Sequence, residues 1–305
     1  MQNTDKTVLV SGGAGFIGRH TVSALAASGF KIIIADRKPK PVDLPYKYYC
    51  LDVSSPETEK IFQENKINYI IHLAALPSVA DSIKYPLIDA RDNYLASVNI
   101  CSLAKKYGAE KIVFSSTAAV YAHPEYLPAD EKHPVSYLSP YAITKSASEN
   151  YIKYCGLDYI IFRYSNVYGP GQDASGEAGV IAKFFDLMTK NKPVYIHGSG
   201  RQYRDFIYVS DVSRANVLAL ESDIKNEIIN VSMNTKTSIN ELFNTMKEVL
   251  NYKLEPVYTA PRGGDIEKSV LDNRKLAALL HFAPSIDIKT GIKTAVRFMP
   301  VLNQS

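Results

Sequence analysis

The segment Val8–Gly18, which reads VLVSGGAGFIG, decides the fold of this 305-residue chain. An apolar run leads into glycines at positions 12, 15 and 18, and a stretch with helical spacing follows. Glycines between a strand and a helix let the backbone approach a pyrophosphate, whose charge then meets the amides of the helix N-terminus. A glycine-rich turn without a ligand is the weaker interpretation. The segment therefore predicts a dinucleotide site that includes Gly12, Gly15, Phe16, Ile17 and Gly18.

Short β-branched and apolar runs alternate with longer segments of helical spacing through the first half of the chain. The runs predict strands at Thr7–Val10, Lys31–Ala35, Tyr69–Leu73, Lys111–Phe114 and Tyr159–Phe162. The segments between them predict helices at Phe16–Ser28, Thr58–Glu64, Asn93–Tyr107 and Tyr141–Tyr154. Such alternation is typical of an α/β fold with a Rossmann-type, doubly wound parallel sheet that is covered on both faces.

Asp36 ends the second predicted strand, where a carboxylate can bind the hydroxyls of an adenosine ribose. A carboxylate there would repel a 2′-phosphate, so we predict NAD rather than NADP as the cofactor. Arg37 beside it leaves that choice open, because a guanidinium can accommodate the extra phosphate. A plain turn residue is the alternative for Asp36. Asp52 and Val53, further along, are weaker candidates for contacts with the adenine.

A change of rhythm after Phe162, where glycine and proline become frequent, predicts the domain boundary. We expect an NAD-binding Rossmann domain at residues 1–165 and a smaller C-terminal substrate-binding α/β region at residues 166–305. Ile207–Leu220 and Glu227–Val231 are predicted as a helix and a strand that return to the sheet, within about residues 207–232.

Tyr141 and Lys145 lie four positions apart on a predicted helix and therefore share one face. The pKa of a free tyrosine is ~10, which makes it a poor base at neutral pH. We expect the Lys145 ammonium, together with an oxidised nicotinamide, to lower the pKa of Tyr141. Thr117, at the end of a predicted strand, is the expected hydroxyl partner of the substrate oxygen, and Ser116 and Ser115 are weaker candidates. Each of these two motifs alone is common in proteins. The Tyr141–Lys145 pair and the Ser115–Thr117 turn indicate a catalytic site because they occur together.

Composition excludes several classes of partner. Lys and Arg number 35 against 31 Asp and Glu, and this net charge of +4 is spread without long runs. We therefore expect neither nucleic acid nor a membrane as a partner. Cys50, Cys101 and Cys155 are far apart and lack metal-ligand spacing, which predicts reduced, mostly buried thiols and no metal site. Without a signal-peptide pattern or a membrane-spanning apolar run, we expect a soluble cytoplasmic protein.

These motifs resemble the extended short-chain dehydrogenase/reductase family, and in particular its nucleotide-sugar epimerase/dehydratase branch. The resemblance continues in the family's order through residues 72–75, 115–121, 162–170, 204–212 and 261–265. It implies that Leu73, Ala74, Ala75 and Ser115 line the NAD cofactor and that Asn93 supports the nicotinamide end. It also implies that residues 166–305 bind a UDP-sugar. The implied substrate-binding residues are Ser116, Thr117, Asn166, Val180, Tyr195, Arg204, Arg262 and Asp265.

The subclass rests on finer detail of the resemblance. Ala118 and Ala119 stand where dehydratases of this branch carry Asp-Glu, and methyl groups cannot transfer protons. The remaining set resembles UDP-glucose 4-epimerases, which implies epimerisation at C4 of UDP-glucose or UDP-galactose through a transient 4-keto sugar. Ser269, where those enzymes carry a bulky gate, implies room for N-acetylhexosamine forms. A decarboxylase, dehydratase or reductase is the alternative, and a non-catalytic NAD(P)-sensing regulator is a weaker one.

Three further expectations accompany this interpretation. The resemblance implies a homodimer that pairs through the helices predicted at 93–107 and 141–154. Ala122 stands where the family usually has glycine, and we expect this departure to affect only a turn. His72 closes a strand and is read as a core histidine rather than a catalyst.

Overall fold

The computed structural model describes residues 5–174, 179–261 and 266–297. The first strands and helices of the chain lie where the alternating pattern predicts them. The strands are β1 (Thr7–Ser11), β2 (Lys31–Asp36), β3 (Lys47–Cys50), β4 (Tyr69–His72), β5 (Lys111–Thr117), β6 (Asp158–Tyr164), β7 (Asn166–Tyr168), β8 (Tyr195–His197), β9 (Tyr203–Arg204), β10 (Phe206–Tyr208), β11 (Glu227–Val231), β12 (Thr237–Ser238) and β13 (Val257–Thr259).

The helices cover the sheet and form most of the C-terminal region. A π-helical segment, Ala90–Leu95, joins the fourth and fifth of them. The α-helices are α1 (Phe16–Ala27), α2 (Glu59–Glu64), α3 (Val79–Lys84), α4 (Pro86–Asp89), α5 (Ala96–Lys106), α6 (Pro140–Cys155), α7 (Val180–Thr189), α8 (Val209–Glu221), α9 (Ile239–Val249), α10 (Arg274–Leu280) and α11 (Ile288–Arg297).

Seven strands form one sheet in the order β11-β6-β5-β4-β1-β2-β3. Every neighbouring pair in it is parallel. The strand order reverses between β1 and β4, which is the point where doubly wound sheets bind ligands. The predicted return strand is part of the sheet, because β11 pairs with β6 from Glu227–Ile160 to Val231–Tyr164. The predicted Rossmann-type α/β fold is confirmed.

The two faces of the sheet carry separate layers of the core. Successive side chains of a strand point to opposite faces. Val8 therefore packs in a layer with Val22 of α1 and Val212 of α8. Leu9 packs in the opposite layer with Ile100 of α5 and Ile152 of α6. Because both faces are buried, the strands read as continuous apolar runs, which is why the sequence reveals them.

A third core lies in the C-terminal region, where α7, α9 and α11 pack around short strands. There β7 pairs with β10, and β8 pairs with β13, both in parallel. No helix within the described ranges combines the length and the apolar character needed to cross a lipid bilayer.

Several sequence predictions need correction. Lys47–Cys50 is the edge strand of the sheet, and it escaped prediction because it is only partly buried and lacks an apolar run. Cys50 is consequently exposed, whereas Cys101 and Cys155 are buried, in agreement with the expectation of mostly buried thiols. The predicted helix Ile207–Leu220 begins too early, because residues 206–208 pair with β7 and α8 starts at Val209.

Ala122 adopts a backbone conformation that favours glycine, with φ 46° and ψ −115°. It follows the short 3₁₀ segment Ala118–Tyr121 at the end of β5, and its side chain is buried. A Cβ in such a conformation costs about 1–3 kcal/mol. The departure noted in the sequence therefore strains a turn.

We expect Ala122→Gly to raise the free energy of unfolding by about 1 kcal/mol, since relief of strain exceeds the added freedom of the unfolded chain. Denaturant titration followed by circular dichroism measures the change. Ala119→Gly is the matched control, because Ala119 lies inside the 3₁₀ segment and should lose about 0.5–1 kcal/mol. Equal destabilisation of both variants would contradict the strain at Ala122.

Candidate active site

A cleft of about 1170 Å³ opens at the carboxyl ends of the sheet strands and extends to the C-terminal region. Arg262 and Asp265 lie outside the described residues. The cleft is lined by these predicted site residues: Gly12, Gly15, Phe16, Ile17, Gly18, Asp36, Arg37, Asp52, Val53, Leu73, Ala74, Ala75, Ser115, Ser116, Thr117, Tyr141, Lys145, Asn166, Val180, Tyr195 and Arg204.

The glycine loop is packed too tightly for side chains. Gly12 has φ 73°, and a Cβ there would lie 2.7 Å from the amide nitrogen of Ala74. A Cβ on Gly18 would collide with the carbonyl oxygen of Gly12. Helix α1 starts directly after this loop, and no side chain caps its N-terminus. Its first amides therefore suit a pyrophosphate, and the loop fits the NAD cofactor that the sequence predicts.

Asp36 joins the end of β2 to the glycine loop. Its buried carboxylate accepts hydrogen bonds from the amides of Ala14 (3.0 Å) and Lys38 (2.9 Å). Each carboxylate oxygen can accept a further hydrogen bond, so the group can still bind ribose hydroxyls. Asp36 is therefore more than a plain turn residue, because its carboxylate binds an amide of the glycine loop that lines the cleft.

Tyr141 lies in the first turn of α6, beside the end of β5. Ser139 caps this helix by accepting a hydrogen bond from the amide of Ala142 at 3.2 Å. The Thr117 oxygen accepts a hydrogen bond from the amide of Ala119 (3.1 Å), and the Thr117 side chain is close enough to Tyr141 to influence the pKa of the phenol. The predicted hydroxyl pair is thus assembled at one edge of the sheet.

Lys145 is buried one turn further along α6. Its Nζ lies 4.3 Å from the centre of the Phe114 ring. Burial lowers the pKa of Lys145 to about 7, although the charges of Glu149 and Asp89 oppose that decrease. The ammonium is therefore close to losing its proton at neutral pH.

One electrostatic expectation is wrong for the protein's own groups. We expected a lowered pKa for Tyr141, but burial raises it to about 12. The Thr117 side chain opposes this increase, and the Asp89 charge adds to it. The reason is that burial exceeds every other influence on the phenol. The part of the expectation that involves the nicotinamide charge stays a prediction.

His72 is a core histidine, as the sequence indicates. Its Nδ1 lies 2.6 Å from the Ser11 hydroxyl, and its Nε2 lies 3.1 Å from the Ser97 hydroxyl. Ser97 donates its own proton to the carbonyl of Asn93 (2.7 Å), so Nε2 must be the protonated nitrogen. Burial and the Lys145 charge lower the pKa of His72 to about 3, which keeps it neutral.

Asp89, which sequence reasoning missed, lies buried behind the Tyr141–Lys145 pair. Its carboxylate accepts hydrogen bonds from Asn93 Nδ2 (2.6 Å) and from the Thr144 hydroxyl (2.7 Å). Asn93 does not line the cleft, but its Oδ1 accepts a hydrogen bond from the amide of Leu76 (2.7 Å) and so supports the loop after β4. The spacing of four between an aspartate and an asparagine was the available signal.

The Ser116 hydroxyl, which the resemblance implies as a substrate ligand, instead contacts a group of the protein. It is donated to the buried carboxylate of Glu149. That carboxylate also receives two hydrogen bonds from Arg163, at 3.0 and 2.7 Å. The Ser116 side chain therefore anchors the end of β5 to α6, and its hydroxyl is already committed away from a ligand.

The C-terminal wall of the cleft is built around β7, β9 and α7. The amide of Asn166 donates to the carbonyl of Asp205 (2.9 Å), and the Asp205 carboxylate accepts amides of the following loops. Ser269, in contrast, is not among the described residues that line the cleft, and its amide donates to the carbonyl of Tyr203 at 3.2 Å. The room for an N-acetyl group that the resemblance implied at Ser269 thus gains no support from the position of this residue.

The fold and the cleft are those of the extended short-chain dehydrogenases/reductases. Residues 8–232 match the family described as the NAD dependent epimerase/dehydratase family. The chain therefore belongs to the NAD-dependent epimerase/dehydratase family, and the predicted family is confirmed. A protein of Methanocaldococcus jannaschii, named as a candidate UDP-glucose 4-epimerase, is 41% identical over 98% of this chain and 100% of its own length.

Solved structures agree with this assignment. UDP-glucose 4-epimerase of Thermotoga maritima with UDP-glucose is 39% identical, with a TM-score of 0.92 over 96% of this chain and 98% of that one. UDP-N-acetylglucosamine 4-epimerase of Methanobrevibacter ruminantium, in complex with UDP-N-acetylmuramic acid, is 35% identical. Its TM-score is 0.91 over 97% of this chain and 98% of the other.

Proposed function

We propose that this chain is an NAD-dependent epimerase that interconverts the C4 epimers of a UDP-hexose, such as UDP-glucose and UDP-galactose. The observation that carries this proposal is the placement of Thr117, Tyr141 and Lys145 in one cleft with the glycine loop, and this cleft extends to the C-terminal region. The names of the similar proteins from Thermotoga and Methanobrevibacter support it.

Each residue of the pair has a role at the sugar O4. NAD held by the glycine loop would take up the C4 hydrogen as hydride and return it. As the phenolate that the positive nicotinamide would favour, Tyr141 would accept the O4 proton and give it back. Thr117 would hydrogen-bond the same oxygen, because its hydroxyl both donates and accepts. Lys145 places a positive charge one helical turn from the phenol.

Dehydration is the less suited alternative. Ala118 and Ala119 directly follow Thr117 and form the 3₁₀ segment at the end of β5. Elimination of water needs an acid and a base near the sugar, and methyl groups supply neither. The residues around the hydroxyl pair are thus suited to a reversible change at one carbon.

The nucleotide end of the substrate is assigned to residues 166–305, and the dinucleotide to residues 1–165 with the return strand β11. Asn166 and Arg204 line the cleft on its C-terminal side, where donors suit a diphosphate. Val180 and Tyr195 line the same wall and offer apolar surface to the uridine. N-acetylated substrates stay within the proposal through the Methanobrevibacter relative, which is named for one. The three free cysteines favour a reducing cytoplasm.

Replacement of Tyr141 by phenylalanine tests the reaction. Purified protein would be incubated with UDP-glucose, UDP-galactose and their N-acetylated forms, without added reductant, and the sugars analysed by NMR. We expect C4 interconversion by the natural chain and a loss of about 10²–10⁴-fold in Tyr141→Phe, since the proton acceptor is removed.

Tyr151→Phe is the control, because Tyr151 lies on the same helix and its hydroxyl contacts Ser102 instead, at 3.3 Å. It should retain turnover within about twofold. Near-native turnover by Tyr141→Phe would contradict the assigned base. Release of carbon dioxide would indicate a decarboxylase, and net consumption of reduced cofactor would indicate a reductase. If no sugar reacted, a regulatory protein would be indicated.

The charge of Asp89 should set the pH range of the reaction. It raises the pKa of both Tyr141 and Lys145. Asp89→Asn removes it, so both groups should lose their protons at lower pH. We therefore expect both limbs of the pH–rate profile to move to lower pH and turnover above neutrality to fall about threefold to tenfold.

Thr144→Val is the control for Asp89→Asn, since it removes a hydrogen bond to the carboxylate but keeps the charge. It should lower the rate without moving the limbs of the profile. A profile of Asp89→Asn that coincides with that of the natural chain would show that the charge is unimportant.

We further propose a homodimer that pairs through α5, α6 and the π-helical segment. Large apolar side chains are exposed on this face, including Leu95 (51%), Ile143 (52%) and Tyr154 (83%). Large exposed apolar side chains grouped on neighbouring helices are typical of a protein interface. The resemblance to the family implied pairing through the helices predicted at 93–107 and 141–154, which correspond to α5 with part of the π-helical segment and to α6.

Sedimentation at micromolar concentration tests the dimer. We expect twice the chain mass of 33.8 kDa for the natural protein and a single chain mass for Leu95→Glu, because a buried unpaired carboxylate is costly. Val42→Glu, on the exposed loop after β2, is the control and should stay dimeric. A monomeric natural chain would refute the proposal.

A further inference from the structure

The guanidinium of Arg37 is bound by a buried carboxylate at the wall of the dinucleotide cleft. Its Nη2 donates to Oδ2 of Asp92 at 2.7 Å. The Asp92 side chain has no exposed surface, whereas that of Arg37 is 49% exposed. The sequence left open whether Arg37 accommodates an extra phosphate. The contact with Asp92, which lies 55 positions further along the chain, bears directly on that question.

Asp92 is fixed from a second side as well. Arg91 Nε donates to its Oδ1 at 2.8 Å, and Arg91 in turn lies 3.9 Å from the Asp52 carboxylate. Both Asp92 and Arg37 line the cleft, and Asp92 belongs to the π-helical segment Ala90–Leu95. A buried carboxylate without its partners is strongly unfavourable, so the Asp92–Arg37 pair resists separation.

The position of this pair matters for the adenosine end of the cofactor. Arg37 directly follows Asp36, whose carboxylate is placed for ribose hydroxyls at the end of β2. A 2′-phosphate arriving there would meet the negative charge of Asp36, and a free guanidinium next to it would be the natural compensation. In this structure that guanidinium donates to the Asp92 carboxylate instead.

We infer that Asp92 sets the choice between NAD and NADP by holding Arg37 away from a 2′-phosphate. Asp36 disfavours the phosphate directly, and Asp92 removes the cation that would offset it. The inference rests on dinucleotide binding in this cleft and is independent of the sugar reaction under the proposed function.

Competition between the two nucleotides tests the inference. The full chain would be dialysed to equilibrium against equal concentrations of NAD and NADP, and the retained nucleotides quantified by mass spectrometry. The natural chain should retain mainly NAD. Asp92→Asn preserves size and frees Arg37, so the retained ratio of NADP to NAD should rise about tenfold, which equals about 1.4 kcal/mol. An unchanged ratio would overturn the inference.

A second substitution separates release of Arg37 from simple loss of the Asp92 charge. Adding Arg37→Gln to Asp92→Asn should return the ratio to about the natural value, because the freed guanidinium is the group that binds the phosphate. A gain that persists in the double variant would overturn the inference.

Arg37→Gln alone keeps the test decisive if Asp92→Asn does not fold. A guanidinium already committed to Asp92 contributes nothing to the phosphate, so this single variant should retain both nucleotides in the natural ratio within about twofold. A lower NADP share in Arg37→Gln would show that Arg37 already binds the phosphate, and the inference would fail. Normal nucleotide retention without C4 interconversion would instead refute only the proposed sugar reaction.

Discussion

Parallel strands all end at the same edge of a sheet, and the active cleft of this protein depends on that constraint. A parallel sheet needs helices on both faces, so each strand is followed by a crossover before the next one begins. The chain adds β2 and β3 on one side of β1 and then β4, β5, β6 and β11 on the other. The reversal separates the connections after β1 and β4 and leaves a crevice between them. The glycine loop, the Asp36 carboxylate and the Thr117 hydroxyl line the same cleft because each lies at the carboxyl end of a strand.

Hydrogen bonds between buried polar groups then hold in place the segments that the sheet brings close together. The chain of hydrogen bonds from Ser11 through His72 and Ser97 to Asn93 joins β1, β4 and the π-helical segment. Asp89 extends this network to α6 by accepting the Thr144 hydroxyl. Each donor has an acceptor, which is the condition under which a buried network orients its members instead of destabilising the core. Lys145 is buried beside this network, and its burial lowers its pKa although the Asp89 charge opposes the decrease.

The strands, the glycine loop and the Tyr141–Lys145 pair could be predicted because their signals are local. Buried parallel strands give continuous apolar runs, a tight strand-to-helix turn requires glycine, and a spacing of four places two residues on one helix face. The edge strand β3 gave no such signal, since its residues are half exposed. The strain at Ala122 was also hidden, because a small residue in a turn reads the same whatever its φ.

The groups that tune the site were harder to predict, since their effect depends on distant partners. Glu149 and Arg163 form a bidentate pair that links α6 to β6, and this pair takes the Ser116 hydroxyl that the sequence offered to the substrate. Likewise, a sequence shows an arginine beside Asp36 but does not show that its guanidinium already donates to a buried carboxylate. A cation that follows β2 favours a phosphate only when it is free, because a buried carboxylate in contact with it competes for the same charge. Cofactor choice in such a cleft is therefore determined by the whole set of charges around the adenosine and not by the residues at the end of β2 alone.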